Sequence, residues 1–258
     1  MTQRIKLAQD YLPWGVRVAN GDIADQSHNH KFGFNAAVGT TAETVWLQGA
    51  AYTWPAAAAV LNVTSTDNTD DNAAGAGALT VLIEGLDANL AEVTSTVTLT
   101  GQTAATTGAV AFLRVNRMSV ATSGANGTNT GIIYAFTGAS TTGTPDVATT
   151  IRATIGATLS QTQQCFYTVP VNKKAFIQTI TYTSTDVTNA STFDFLIRTT
   201  GSTVWLNKGR TYLKQGTHVV QPEVPQVFAA GTDIDIQATA SASTVEATAE
   251  LDILLLDV

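Results

Sequence analysis

Three aspartates in one polar stretch carry the most distinctive chemistry in the chain. Asp67, Asp70 and Asp71 lie close together, and asparagines occupy positions 68 and 72 beside them. Carboxylate and amide oxygens are the hard ligands that calcium prefers, so this stretch is a candidate calcium site. Its spacing does not match an EF-hand loop, and a solvated turn is the interpretation of the same residues that we favour.

Two histidines form a second candidate metal-binding pair. His28 and His30 are two residues apart, so on an extended chain both imidazoles point to the same side. A metal site needs more ligands, and neither a cysteine nor the third histidine is nearby in the sequence. The alternative interpretation, which we favour, is that these are solvated loop histidines.

The short motifs of known catalytic sites are absent from the sequence. It contains no G-x-S-x-G, no H-E-x-x-H, no phosphate-binding loop and no pair of cysteines. The single cysteine, Cys165, precedes Phe166 and Tyr167, which predicts a buried thiol in a strand. Asp233 and Asp235 alternate on one strand face, which predicts an exposed edge protected from aggregation. The sequence therefore predicts a protein that is not an enzyme and needs no cofactor.

Charge and composition argue against several classes of partner. The formal net charge is −7 and only 13% of the residues are charged, with no cluster of Lys and Arg. Nucleic-acid binding depends on such clusters, so none is expected. No apolar run resembles a signal peptide or a transmembrane helix, so we expect a soluble protein made in the cytoplasm. A surface poor in long charged side chains loses little rotamer freedom when it contacts a neighbouring subunit.

Short apolar runs rich in β-branched residues, separated by Gly, Thr, Asn and Asp, predict an all-β fold. Phe193, Phe195 and Ile197 alternate with other residues, which predicts that they share one face of a half-buried strand. The apolar run at residues 251–256 predicts a central or an intermolecular strand. Only residues 87–92 suggest a helical turn. A Gly-, Ser-, Thr- and Pro-containing stretch near residue 142 suggests a domain boundary. We therefore predict an N-terminal arm (1–30) and two tandem antiparallel β-sandwich domains of jelly-roll type (31–142 and 143–258).

A short internal repeat supports the tandem arrangement. Tyr167-Thr168-Val169-Pro170 resembles Tyr52-Thr53-Trp54-Pro55, and Thr183-Ser184-Thr185-Asp186 resembles Thr64-Ser65-Thr66-Asp67. In both copies an apolar strand, a polar loop and another apolar strand follow in the same order.

The first thirty residues differ in composition from the rest of the chain. The Pro13-Trp14 pair suggests an extended arm whose tryptophan inserts into a pocket of this chain or of another copy. The alternative is a first strand at residues 15–19. On the first interpretation Arg4, Tyr11 and Trp14 are candidate assembly contacts.

Seven motifs, all of them between residues 31 and 134, resemble virion structural proteins of tailed bacteriophages: Phe32-Gly33-Phe34-Asn35, Thr44-Val45-Trp46, Gly75-Ala76-Gly77-Ala78-Leu79-Thr80-Val81, Glu84-Gly85-Leu86-Asp87, Val97-Thr98-Leu99-Thr100-Gly101, Phe112-Leu113-Arg114-Val115-Asn116-Arg117-Met118 and Asn129-Thr130-Gly131-Ile132-Ile133. Beyond residue 134 the resemblance rests on Tyr167-Thr168-Val169-Pro170 and the β pattern.

The resemblance implies a non-enzymatic β-sandwich protein of the virion, present in many copies as a capsid cement or decoration protein. Its partners would be the major capsid protein and copies of itself, as a homotrimer. Residues 4–14 and the loops around Asp67 and Asn126 are then expected in contacts between chains. Two alternatives remain: a tail, baseplate or fibre component, and a carbohydrate-binding module. The second would display a flat aromatic platform, for which the available rings are Trp46, Trp54, Tyr134, Trp205 and Tyr212.

Overall fold

Antiparallel strands make up most of residues 12–258, the part of the chain that the structure, a computed structural model, describes. This confirms the all-β fold class. One short helix, α1 (Trp14–Ala19), precedes the strands, and a 3-10 turn covers Ala148–Thr150. No helix among the described residues has the length and apolar character that crossing a membrane requires.

In chain order the strands are β1 (Gln26–Val38), β2 (Glu43–Thr44), β3 (Ala59–Ser65), β4 (Ala78–Leu86), β5 (Glu92–Thr98), β6 (Ala105–Phe112), β7 (Arg114–Ser123), β8 (Ile133–Phe136), β9 (Ser140–Thr141), β10 (Thr144–Pro145), β11 (Ile151–Ile155), β12 (Phe166–Thr168), β13 (Lys173–Ser184), β14 (Ser191–Thr199), β15 (Leu206–Leu213), β16 (Gly216–Val220), β17 (Gln226–Phe228), β18 (Thr232–Ala240) and β19 (Val245–Asp257).

The middle of the chain forms two sheets that share one hydrophobic cluster. Their strand orders are β11-β8-β3-β6 and β5-β4-β7. Alternate side chains of both sheets, including Leu61, Ile83, Met118 and Ile133, are fully buried in that cluster. We call these the middle sheets.

The ends of the chain form a second pair of sheets around a separate cluster. Their orders are β1-β19-β13-β16, with β17 also on β13, and β12-β18-β14-β15, with β2 also on β18. Phe193 and Phe195 contribute to this cluster and Ile197 packs against it, which confirms that the three share a face. The apolar C-terminal strand β19 lies between β1 and β13 and is therefore central. We call these the terminal sheets.

The strand pairing repeats in the same way as the sequence. In the middle sheets β3 lies between β6 and β8, and β4 lies between β5 and β7. In the terminal sheets β13 lies between β16 and β19, and β14 lies between β15 and β18. In chain order, β3, β4, β5, β6, β7 and β8 correspond to β13, β14, β15, β16, β18 and β19. The middle sheets and the terminal sheets therefore share one connectivity.

The first two strands belong to other sheets than the domain bounds predicted from the sequence imply. β1 pairs with β19 from Gln26↔Leu256 to Asn35↔Ala247, and Glu43–Thr44 pairs with β18. Residues 26–38 and 43–44 thus belong to the terminal sheets, although the sequence grouped them with the arm and the first sandwich. The polar run of β1 resembles an arm because one face of this strand is largely open to solvent.

Two local predictions are wrong. Residues 87–91 form the turn of the β4–β5 hairpin and Glu92 begins β5, so no helical turn forms. Asp87 Oδ1 stabilises this turn by accepting hydrogen bonds from the backbone N–H groups of Asn89 and Ala91. Residues 15–19 are helical rather than a strand.

Candidate functional site

The structure places the three aspartates of the candidate calcium site in different environments. Asp70 is fully buried, whereas a solvated turn would expose it. Its Oδ1 accepts hydrogen bonds from the backbone N–H groups of Ala78 and Thr130, both at 2.8 Å. Its Oδ2 accepts from Ser65 Oγ at 2.6 Å and from Gly131 N at 2.8 Å. Four donors therefore occupy this carboxylate from inside the fold.

The other two aspartates stabilise turns. Asp67 Oδ1 accepts from the backbone N–H of Thr69, and Asp71 Oδ1 accepts from that of Ala73. The hydrogen bonds from Thr69 lower the pKa of Asp67. Within residues 12–258 no group of three or more His, Cys, Asp or Glu side chains is arranged to hold a metal ion. The calcium site at Asp67, Asp70 and Asp71 stays a prediction.

His28 and His30 lie on strand β1 rather than in a loop. Both side chains are on the same side, as their spacing predicts, and both approach Asp252 of β19. His30 Nδ1 is 2.9 Å and His28 Nε2 is 3.4 Å from Asp252 Oδ1. The pair is therefore part of the exposed surface of the terminal sheets.

Of the three candidate assembly contacts, only Trp14 falls within the described residues; Arg4 and Tyr11 lie outside them. Trp14 begins α1 and is 47% exposed, so its ring is not inserted into a pocket of this chain. It borders a cavity of ≈ 350 Å³ between α1 and the outer face of the sheet, together with Val18, His28 and Leu254.

The environment of Asp233 differs most from what the sequence predicts. It is fully buried on β18, an internal strand of its sheet, so the exposed-edge prediction is wrong for this residue. Arg114 of β7 binds it through two hydrogen bonds of 3.0 Å, from Nε to Oδ1 and from Nη2 to Oδ2. The bidentate pair joins a middle sheet to a terminal sheet across 119 residues of sequence.

Further donors complete the environment of Asp233. Arg198 Nε donates at 3.0 Å, Thr168 Oγ1 at 2.6 Å and Thr200 Oγ1 at 3.1 Å. Buried charges are tolerated where every lone pair is occupied in this way, whereas the loss of one partner leaves the other charge uncompensated. The cluster therefore specifies how the two pairs of sheets meet.

Two tryptophans cover this ionic cluster. The Arg198 guanidinium carbon lies 4.5 Å from the Trp205 ring centroid and 5.2 Å from that of Trp54. Arg114 lies 5.1 Å from the same Trp54 ring. The rings shield the charges from water and add cation–π attraction.

Asp235 is also buried, and the exposed-edge prediction is wrong for it too. Its Oδ2 accepts hydrogen bonds from Thr44 Oγ1 at 3.1 Å and from Gln237 Nε2 at 2.8 Å. Burial raises the pKa of this carboxyl to about 6, because desolvation outweighs the hydrogen bonds to its charged form.

Cys165 is a free and fully buried thiol, as predicted, but it lies directly before β12 and not within a strand. Burial raises the pKa of this thiol. Lys31 of β1 is buried close to it, and its Nζ donates to the backbone carbonyl of Asn116 on β7. Desolvation, followed by repulsion from Arg117, lowers the pKa of Lys31 to about 7. Lys31 thus forms a second polar contact between a terminal strand and a middle strand.

A polar groove of ≈ 460 Å³ separates β1 from the three-stranded middle sheet. Carboxylates, a guanidinium, amides and imidazoles dominate its lining, which includes His28, His30, Glu84, Glu92, Asn116 and Arg117. Arg117 Nη2 donates to the backbone carbonyl of His30 at 3.0 Å and connects the two walls.

Exposed apolar side chains are concentrated at one edge of the terminal sheets. This C-terminal edge comprises β15, β16, β17 and their loops, and six of its large apolar side chains are at least 51% exposed: Val204, Leu206, Tyr212, Val219, Val224 and Val227. β15 and β16 each end the strand order of their sheet, so one side of each strand lacks a partner strand in the fold. Such an edge is suited to contact another protein chain.

Sequence reasoning missed the ionic cluster, although one signal was present. Arg114 stands between the apolar residues Leu113 and Val115, and Asp233 precedes the apolar Ile234, so each places a charge in a strand with buried neighbours. Opposite charges in two such strands suggest a buried pair.

Comparison with known proteins adds no relative. The chain matches no protein-family model, no curated protein and no solved structure.

Proposed function

We propose that this protein is a virion structural protein of tailed bacteriophages that acts as capsid cement or decoration. In this role copies of the chain, assembled as a homotrimer, bind the major capsid protein and stabilise the contacts between its subunits. The observation that carries the proposal is the C-terminal edge, where six large apolar side chains are open to solvent. Burial of that surface against a neighbour removes apolar area from water in every copy.

The sandwich architecture belongs to the same proposal. Each pair of sheets shares one hydrophobic cluster, and the two pairs share one connectivity. We infer two sandwiches of jelly-roll type, joined by the Arg114–Asp233 pair, with the middle sheets inserted in the chain between β2 and β12 of the terminal sheets. A joint held by a charged network keeps the two halves in one orientation, which a protein that bridges neighbouring subunits requires.

The aromatic rings favour this proposal over an aromatic-platform lectin. Trp46 and Tyr134 are buried, and Trp54 and Trp205 cover the ionic cluster. Only Tyr212 of the five candidate rings is largely exposed, at 70%. A tail, baseplate or fibre component remains the alternative virion location, and it would use the same edge at lower copy number.

Sedimentation velocity of the purified protein tests the assembly role of the edge. We expect the wild type to form an oligomer and the double variant Tyr212→Ser with Val224→Ser to sediment as a monomer. Both side chains are exposed, so the variant should remain folded and keep the wild-type far-UV circular dichroism spectrum. Val147→Ser, at a 53% exposed valine near the middle sheets, is the matched control and should keep the oligomer. An unchanged oligomer in the double variant would contradict the proposed contact.

A further inference from the structure

The polar groove between β1 and the three-stranded middle sheet has the lining of a ligand site, and strand register shows why. Thr94 of β5, Glu84 of β4 and Arg117 of β7 are direct register partners across three neighbouring strands. The adjacent pair Ile83 and Met118 points into the hydrophobic cluster. Glu84 and Arg117 therefore point to the opposite face, into the groove.

The charged side chains that line the groove are not neutralised by ion pairs among themselves. Glu84 and Arg117 are cross-strand neighbours, yet no ion pair within 4 Å joins them in the described part of the chain. Glu92, on the same wall, is 3.6 Å from Lys173 Nζ, which forms its shorter contact of 2.8 Å with Asp257. Acceptors and donors thus face the groove side by side.

The opposite wall is fixed in position by contacts made outside the groove. His30 Nδ1 is hydrogen-bonded to Asp252 Oδ1, and this bond does not involve Nε2 of the same ring. The side-chain oxygen Oδ1 of Asn29, a residue of the groove lining, is buried and accepts no hydrogen bond from residues 12–258.

Charge narrows the chemical class of the ligand. Two carboxylates in the lining repel an anion such as phosphate, and the guanidinium of Arg117 with the nearby Lys173 repels a cation. A neutral ligand with many groups that both donate and accept hydrogen bonds fits both kinds of lining group. The cavity of ≈ 460 Å³ is within the usual range of small-ligand sites.

We propose that this groove binds a neutral sugar of one or two rings. Glu84 and Glu92 accept hydrogen bonds from ring hydroxyls, and Arg117 donates to a neighbouring hydroxyl oxygen. Tyr167 is only 1% exposed, so no aromatic ring is available for stacking. The affinity should therefore be modest, with a Kd of about 1 mM.

Two-dimensional ¹H–¹⁵N NMR titration tests the proposal with glucose, galactose, mannose, N-acetylglucosamine, lactose and maltose as probes. At least one sugar should give saturable shifts confined to the groove residues at concentrations up to about 50 mM. Glu84→Gln and Glu92→Gln should each weaken that binding about tenfold, because each replaces a charged acceptor by a neutral amide. The backbone spectrum away from the groove should be unchanged.

Glu246→Gln is the matched control, since Glu246 is an exposed carboxylate of β19 outside the groove lining. It should bind the same sugar with wild-type affinity. The absence of saturable shifts with all six sugars would overturn the proposal, and so would equal affinities of Glu84→Gln, Glu92→Gln and Glu246→Gln. Neither result depends on how the protein assembles, so this test is separate from that of the proposed function.

Discussion

The loops that follow β3 and β13 occupy equivalent positions in the two halves, yet their interiors are built differently. Each follows the central strand of one sheet and leads to the central strand of its companion sheet, β4 or β14. Both begin with Thr-Ser-Thr-Asp, and in both the aspartate accepts a hydrogen bond from the N–H two residues later, Asp67 from Thr69 and Asp186 from Thr188. The shared residues account for the shared turn.

Beyond this turn the two loops diverge. In the first, the buried serine at the strand end, Ser65, donates to the carboxylate of Asp70. Glycines surround this carboxylate closely: a Cβ at Gly77 would overlap Asp70 Oδ1, and a Cβ at Gly131 would overlap Ser65 Oγ. In the second, the equivalent Ser184 shares a hydrogen bond of 3.0 Å with Ser191. One position in the fold thus accepts either a buried charge with four donors or a neutral hydroxyl pair.

The largest effect is expected from Asp70→Asn. In either orientation of the amide its NH₂ group faces at least one backbone N–H that now donates to the carboxylate, so a buried donor loses its acceptor. We expect the free energy of unfolding to fall by about 2–4 kcal/mol. Chemical denaturation followed by tryptophan fluorescence measures it, with Asp71→Asn as the control that keeps its turn. A loss no larger than that of the control would contradict the role assigned to Asp70.

Ser191→Ala tests the neutral counterpart in the second loop. The change leaves the buried Ser184 hydroxyl without its side-chain partner, and it should lower the free energy of unfolding by about 1 kcal/mol. The double variant Ser184→Ala with Ser191→Ala removes both hydroxyls and should be no less stable than the single variant. The same denaturation experiment checks both. A loss for Ser191→Ala equal to that for Asp70→Asn would remove the distinction between the loops.

Smaller and nearly equal effects are expected where the loops agree. Hydrogen bonds from backbone N–H groups lower the pKa of both Asp67 and Asp186. Each carboxylate therefore stabilises the fold above its unfolded pKa of about 4, and this contribution disappears as the pH falls through the folded pKa. Asp67→Ala and Asp186→Ala should each lower the melting midpoint slightly at pH 7 and hardly at all near pH 2. Unequal shifts would show that the two turns are not equivalent.

Calcium should have the smallest effect. The carboxylate of Asp70 is occupied by donors from inside the fold, which leaves Asp67 and Asp71 as the ligands available from the predicted set. The melting midpoint in about 5 mM CaCl₂ should equal the midpoint in NaCl of the same ionic strength. A ligand raises the midpoint only when it binds the folded protein. A saturable rise in the midpoint that Asp71→Asn abolishes would contradict this expectation and support the calcium site predicted from the sequence.

Local pattern was sufficient to predict much of the fold. Alternation at Phe193, Phe195 and Ile197, and the apolar run at the C-terminus, predicted a half-buried strand and a central or intermolecular strand, and the structure shows both as strands with the expected faces. The buried thiol of Cys165 was predicted in the same way. These features depend on residues close in sequence, where strand periodicity is informative.

The ionic cluster and the role of β1 could not be predicted in this way. Asp233 alternates like an exposed edge residue, and its burial depends on Arg114, 119 positions earlier. The polar run that includes His28 and His30 becomes a strand only because β19, more than 200 residues later, pairs with it. In both cases a partner distant in sequence determines whether a polar side chain is buried, exposed or part of a groove.

Copy number in purified phage particles tests the central claim most directly. Quantitative mass spectrometry of particles purified from the culture that produces this chain, with the major capsid protein as the reference, measures this copy number. We predict a ratio close to one copy per capsid subunit, as a cement protein requires. A ratio of a few per cent would move the protein to the tail, and its absence from particles would contradict a virion role altogether.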